Sequence, residues 1–308
     1  MNSAETIRIL LFLGVVVFIL ARASAATYRC VRGRPISWRE ITFMALAGIG
    51  VICVAYGYFI EPNWLEITHV EVPTSKLPAG TRPIRIVHIS DVHSDPRPRL
   101  EEKLGSVIES ERPDAIVFTG DSINSPSGLP IFTAMLKRLV SVAPTFVVRG
   151  NWDVLFWGDI PLFQGTGVHE LDGTAERLDV QGVSIWIAGL AYGNEANLRQ
   201  TLRPIPAEKF TLLLYHTPDL IEDVAREPVD LYCAGHTHGG QVALPLYGAL
   251  LTLSRFDKKY EAGLYREKGT ALYVNRGIGM EGGVAPRVRF WSRPEVTVID
   301  IVAQSAPR

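Results

Sequence analysis

Ile41 to Ile60, ITFMALAGIGVICVAYGYFI, is twenty residues without a charged side chain. Wound as an α-helix, such a run rises about 30 Å, the thickness of bilayer hydrocarbon. Any fold for this chain has to accommodate that segment, and a membrane-spanning helix does so directly. A second uncharged run, Ile9 to Ala21, reaches Ala26 only by taking in Arg22, whose guanidinium can snorkel to the interface. Ala23-Ser24-Ala25 has the small-residue spacing of a signal-peptidase site, but Glu5 stands beside Arg8 where a signal peptide carries a positive excess. The run is read as a first membrane helix, with a cleaved signal as the alternative. Between the runs lie Arg22, Arg29, Arg32, Arg34 and Arg39 against a single Glu40. Short arginine-rich loops stay on the cytoplasmic side. The remainder of the chain is therefore expected outside the cytoplasm of a bacterial-type cytoplasmic membrane, with the lipid bilayer as a partner. Alternatively, the first run does not span and the arginines meet anionic headgroups.

Net charge is -1 over 308 residues with no long basic run, which leaves no electrostatic footprint for nucleic acid. Of three cysteines, Cys30 and Cys53 belong to the apolar region and Cys233 stands alone, so no disulfide framework is implied. Three parts follow: a membrane anchor at 1–60, with candidate helices at 9–26 and 41–60; a Pro/Gly linker at 61–83 with an edge strand in LEITHVEV; and a domain at 84–308. The domain opens with the alternating, β-branched strand IRIVHIS, then a helix-like run from Leu100 to Ser110, the strand DAIVFTG, a second helix-like run from Leu129 to Val140, and the strand TFVVRG. After residue 160 strands dominate: GVSIWIAGL, FTLLLYH, VDLYCAGH, TALYVNRG and VTVIDIV, with helix signals mainly around Thr217 to Glu227. A βαβαβ half followed by a strand-rich half suits an α/β fold of two packed mixed β-sheets flanked by helices.

Several of these strands end in polar residues, at the edge where open α/β sheets bind ligands. Asp91 and His93 follow the first, Gly120-Asp121 the second, Gly150-Asn151 the third and His216 a later one. The most specific signal is Gly235-His236-Thr237-His238-Gly239-Gly240-Gln241, where glycines let two imidazoles share one side of a tight turn. Carboxylates and imidazoles together suit Mn, Fe or Zn, and a shared carboxylate can bridge two ions. His69, His88 and His169 stand outside these motifs and are read as structural or surface residues.

The ordered set DVH, GD, GN, H and GHTH resembles the calcineurin-like metallophosphoesterases, from about Ile84 to Ile301. With LYVNRG and the amino-terminal apolar runs, it is most similar to their membrane-anchored bacterial YkuE and YaeI branch. The resemblance implies an αββα sandwich and two divalent ions, with Asp91, His93 and His238 on one, Asn151, His216 and His236 on the other, and Asp121 bridging. It implies a hydrolase in which metal-activated water attacks a phosphodiester or phosphoanhydride. Many relatives carry His directly after the Asn, to protonate or stabilise the leaving oxygen; here Trp152 stands there, with one N–H donor and no acid. That departure favours substrates whose leaving group needs little protonation, such as anhydrides. Trp152, Phe156 and Trp157 are expected as an apolar rim for an acyl chain, with Phe156 and Trp157 as core residues the alternative. A phosphorylated lipid or cell-envelope substrate is expected. The alternatives are a UDP-2,3-diacylglucosamine pyrophosphatase of lipid A synthesis, whose substrate lies on the cytoplasmic side, and an inactive metal-binding interaction module.

Overall fold

The structure, a computed structural model, describes residues 3–282 and 286–304. Two long helices come first, α1 (Ser3–Val31) and α2 (Trp38–Phe59), packed as an antiparallel pair with Phe18 edge-on to Phe43 at 5.5 Å. Both are long and apolar enough to cross a membrane by length and composition. Ser37 starts α2 through a capping box: its hydroxyl accepts from the Glu40 N–H, and the Glu40 carboxylate accepts from the Ser37 N–H at 2.8 Å. Arg29 pairs with the same carboxylate at 2.9 Å, closing the arginine-rich turn.

The other ends of this hairpin are bonded to the rest of the chain. Near the start of α1, the buried Glu5 carboxylate accepts from the backbone N–H groups of Thr252 and Leu253, and Arg8 pairs with Asp257. Near the end of α2, the Gly57 carbonyl accepts from Arg289 N–H at 2.9 Å, and the buried Glu61 carboxylate accepts from the N–H groups of Trp291 and Ser292.

The strands, in chain order, are β1 (Glu66–Thr74), β2 (Ile84–Ile89), β3 (Ala115–Phe118), β4 (Thr145–Val147), β5 (His169–Glu170), β6 (Thr174–Val180), β7 (Val183–Gly189), β8 (Phe210–Leu214), β9 (Leu231–Ala234), β10 (Ala243–Leu244), β11 (Gly248–Ala249), β12 (Gly263–Glu267), β13 (Thr270–Val274) and β14 (Glu295–Ala303). They form two six-stranded mixed sheets, ordered β1-β14-β2-β3-β4-β5 and β12-β13-β9-β8-β7-β6, plus the small β10-β11 hairpin. β2 to β5 run parallel in the first sheet, and β7, β8, β9 and β13 in the second. Among them β3, β4, β8, β9 and β13 are buried along their length because both faces are covered. Between the sheets lies a core that includes Ile86, Val117, Phe146, Ile187, Leu212 and Cys233.

Helices α3 (Glu101–Ser110) and α4 (Leu129–Val140) cover the outer face of the first sheet through Leu104, Ile108, Phe132 and Leu136. The short helices α6 (Leu198–Leu202) and α7 (Ile221–Val224) cover the second through Leu198, Leu202, Ile221 and Val224. The result is the expected sandwich of two mixed sheets flanked by helices. α3 and α4 fall on the two helix-like runs. The stretch around Thr217 to Glu227 holds only a 3-10 turn and one turn of α7, because Pro218 and the nearby strand ends leave no room for more.

Candidate metal centre

The parallel strands of both sheets point their carboxyl ends to one edge of the sandwich. Asp91 and His93 follow β2, Asp121 follows β3, Asn151 opens a short helix α5 (Asn151–Leu155) after β4, His216 follows β8, and His236 and His238 follow β9. Each segment leaves its strand by a sharp turn. Asp91, His93, Asp121, His236 and His238 all have positive φ, between 45° and 72°. A residue other than glycine held there costs about 1–3 kcal/mol, and such strain concentrates where function over-determines the backbone.

Two glycines explain how the turns approach so closely. A Cβ on Gly150 would overlap the Asp121 carboxylate, and one on Gly235 would overlap Asp91 Oδ2 and Ser90 Oγ. Gly235→Ala should therefore displace Asp91 and cost about 1–3 kcal/mol of stability through overpacking. Elemental analysis should find less than the wild-type metal content, and calorimetry a lowered Tm. Full metal retention would refute the close-approach argument.

The ligand-type atoms gather in two groups, Asp91 with His93 and His238, and Asp91 with Asp121 and His216, each within 4.8 Å. Asp121 Oδ2 lies 3.5 Å from His93 Nε2 and 3.3 Å from His216 Nε2, so both carboxylates stand between the groups. His238 Nε2 is 3.4 Å from Asp91 Oδ1. These spacings are long for hydrogen bonds. They match the roughly 3.0–3.4 Å between two ligands that each sit about 2.1 Å from one ion in octahedral or tetrahedral geometry.

The satisfaction of buried polar atoms supports the same reading. His93 Nε2, His216 Nε2 and Asn151 Oδ1 are buried without a hydrogen-bond partner, although buried polar atoms are nearly always paired. All three are metal-ligand atom types, so the site fits the ions. His236 lies edge-on to His216 with ring centroids 5.1 Å apart, and Asn151 adjoins Asp121 through the Trp152 N–H, which donates to Asp121 Oδ1 at 2.8 Å. All seven ligand candidates thus share one edge of the fold.

Neighbouring groups hold these side chains in place. His216 Nδ1 donates to the Thr119 carbonyl at 2.6 Å, which turns Nε2 toward the carboxylates. The His236 backbone N–H donates to Asp91 Oδ2 at 3.0 Å, and His236 Nε2 lies 3.4 Å from the Leu253 carbonyl. Burial pushes the Asp91 carboxyl up to about 7. Burial acts the same way on Asp121, but His216 and His93 outweigh it and hold that carboxyl at about 2. Burial opposes charge on His216, yet Asp121 and Asp91 raise it to about 10. Burial lowers His93 and His236 to about 4 and His238 well below its ordinary value. The mutual attraction of His216 and Asp121 thus favours charge on both, and a divalent ion held there would need His216 neutral.

Trp152 is half-buried, its ring edge-on to His93 at 5.2 Å and tilted against Phe156 at 4.9 Å. The three aromatics of that stretch divide: Phe156 is exposed, whereas Trp157 packs on the α3–α4 core and donates Nε1–H to the Ile123 carbonyl. Asp153 is structural, accepting from the backbone N–H groups of Asp121, Ser122 and Gly150. Among the other histidines, His88 is buried against Thr119 and Tyr273, while His69 and His169 face Glu111 and Glu176 near the surface.

Two residues near the centre carry no motif in the sequence. Arg289 is fully buried; it donates to the carbonyls of Arg276, Gly277, Gly279 and Ser292, and its guanidinium lies 3.4 Å from His238 Nδ1. Glu281 is pushed up by burial and by the charge of Asp121. A fully buried arginine has no periodicity or flanking pattern to announce it.

Residues 84–240 match the family described as calcineurin-like phosphoesterase. The chain is 32% identical over 266 residues to the uncharacterized metallophosphoesterase YkuE of Bacillus subtilis, covering 80% of this chain and 89% of that one. It is 30% identical over 266 residues to the phosphodiesterase YaeI of Escherichia coli, covering 80% and 92%. To the UDP-2,3-diacylglucosamine pyrophosphatase LpxG of Chlamydia trachomatis it is 26% identical over 313 residues, covering 81% and 93%.

Proposed function

We propose that this chain, which belongs to the calcineurin-like phosphoesterase family and is a metal-dependent phosphoester hydrolase, is anchored in a membrane by α1 and α2 and cleaves a phosphodiester or phosphoanhydride of a lipid or cell-envelope substrate. Asp91, His93 and His238 would hold one divalent ion and Asn151, His216 and His236 the other, with Asp121 between them. When bound, the ions polarise the phosphoryl group and lower the pKa of the attacking water. The chain's own part is positional: Thr119 aims His216, Asp153 fixes the turn carrying Asp121, and the Asn151–Trp152 turn braces the Asp121 carboxylate.

The observation that carries the lipid reading is the attachment of the helices. The start of α1 and the end of α2 are both bonded to segments beside the His236–His238 turn, and the arginine-rich turn lies at the far end of the hairpin, about 33 Å away along α2. Trp64 and Trp291, both largely exposed, flank the end of α2, as aromatic residues do at a headgroup layer. The pyrophosphatase activity named for the Chlamydia relative, on a diacylated sugar nucleotide, supports a lipid substrate class.

With Arg29 to Arg39 inside, the catalytic residues lie outside the cytoplasm. A reporter active only outside the cytoplasm should be active when fused after Arg308 and silent when fused after Pro35. The reverse pattern would reject this orientation and favour a diacylglucosamine nucleotide as substrate. Outward placement favours envelope lipid pyrophosphates or teichoic-type phosphodiesters. Purified full-length enzyme loaded with Mn or Zn should hydrolyse bis-p-nitrophenyl phosphate. Two bound ions without turnover of any ester or anhydride would instead support a metal-binding module.

A further inference from the structure

Beside the metal centre, α1 forms one wall of a groove. Leu11, Phe12 and Val15 face Leu244, Tyr247 and Leu250 of the β10–β11 hairpin region across an open groove of about 350 Å³. Apolar atoms dominate the lining, and the one charged residue in it is Arg8. Arg8 precedes Leu11 by about one helical turn, on the side of the Glu5 attachment, so the α1 wall is polar at one end and apolar along the rest. Its α1 wall belongs to a helix long and apolar enough to cross a bilayer. The groove accordingly adjoins hydrocarbon rather than water. The hairpin turn beside it presents a fully exposed Leu246 and a half-exposed Tyr247, which suit the same surroundings.

Two details specify an occupant with an apolar tail and a polar head. The Arg8 guanidinium, paired with Asp257, brings a cation to the wall of the groove, where an anionic headgroup would meet it. The Lys258 ammonium lies 3.7 Å from the Tyr247 ring centroid, placing a second cation at the groove. The groove is also close to the centre along the chain: Leu250 lines it, and three residues on the Leu253 carbonyl faces His236 Nε2 at 3.4 Å. Three residues span at most about 11 Å. That distance is short enough for one lipid to reach both places.

We propose that this groove receives an acyl chain of the substrate lipid, so that the lipid enters sideways from its leaflet with its phosphate directed to the metal centre. The inference rests on the lipid reading of the site given above and adds where the chain lies. A run of methylenes in such a groove improves binding by up to about fourfold for each methylene buried.

The test uses full-length enzyme in detergent micelles, loaded with Mn, and a series of alkyl p-nitrophenyl phosphodiesters from methyl to dodecyl. Their leaving group is constant, so only the chain varies. Wild-type kcat/KM should rise by more than about tenfold along the series and then level off. In Val15→Trp, which fills the groove, and independently in Leu11→Trp, the dodecyl-to-methyl ratio should collapse toward one. In Ile49→Trp, an exposed position on α2, that ratio should stay at the wild-type value. Metal content establishes that each variant is folded, and if one is not, the other decides.

A wild type that cleaves the methyl ester and gains nothing with length would overturn the lipid reading and the groove together. A rise that persists in both groove variants would overturn the groove alone, leaving chain binding elsewhere or simple partition into the micelle. A groove closed by a second copy of α1 would give the same persistence.

Discussion

Asp121→Ala should lose both metal ions and hydrolyse bis-p-nitrophenyl phosphate more than about 10²-fold more slowly than wild type. Changing a residue that merely orients a ligand typically costs 10- to 100-fold in affinity or activity, and a carboxylate standing between two groups of ligands exceeds that upper figure. The carboxylate also supports the fold of the centre. Its Oδ2 approaches His93 and His216 at 3.5 and 3.3 Å, and its Oδ1 accepts the Trp152 N–H. Alanine leaves His216 without its principal counter-charge, so that imidazole should also lose its elevated proton affinity. Elemental analysis of wild type after Mn or Zn loading should give two ions per chain. One ion or none would sink the two-metal reading, and Asp121→Ala retaining both would remove Asp121 from its central place.

The second large effect concerns the leaving group. Trp152 offers an indole N–H donor and no acid that titrates near neutral pH. In a series of phosphodiesters whose leaving groups rise in pKa from nitrophenol to simple alcohols, the wild-type rate should fall steeply. The acid assistance it lacks is typically worth about 10²- to 10⁴-fold. Trp152→His should recover the most basic leaving groups most and scarcely change anhydride cleavage. A flat dependence, with chemistry shown to be rate-limiting, would mean that another group supplies the proton. Asp153 is excluded because its carboxylate is occupied by three backbone N–H groups, so Glu281→Gln is the variant that would then impose the steep dependence.

The candidate centre was legible because its chemistry is written locally. Asp91, His93, Asp121, Asn151, His216, His236 and His238 each follow a short buried strand, and most adjoin a glycine whose missing Cβ lets a neighbouring turn come close. The central strands of both sheets were legible as short apolar runs between turn residues, whereas β5, β6 and β12, polar and partly exposed, were not. What the sequence withheld is pairing over distance. Nothing near Glu66 indicates that it begins a nine-residue parallel pairing with a strand starting at Glu295. Arg289 is a single charge among loop residues, and only the fold shows it buried against His238 and the carbonyls of the preceding loop. In the sequence Glu5 reads only as a charge at odds with a signal peptide. In the structure its carboxylate organises the backbone at Thr252 and Leu253.

That last contact has a counterpart at the other end of the hairpin. Glu5 grips the segment whose Leu253 faces His236, and Gly57 with Glu61 grips the segment from Arg289 to Ser292, whose hydroxyl donates to the His238 carbonyl at 2.6 Å. Two attachment points on separate helices leave a rigid body little freedom to swing or lift. For a domain held by a loose tether, reach is set by the tether; here it is set by where α1 and α2 end. Under the anchoring proposed above, the height of the metal centre over the hydrocarbon would then be a built-in dimension of the protein. It would work as a depth gauge: a phosphate presented at that level would be within reach, and one held higher or lower would be refused before any contact with its headgroup was made.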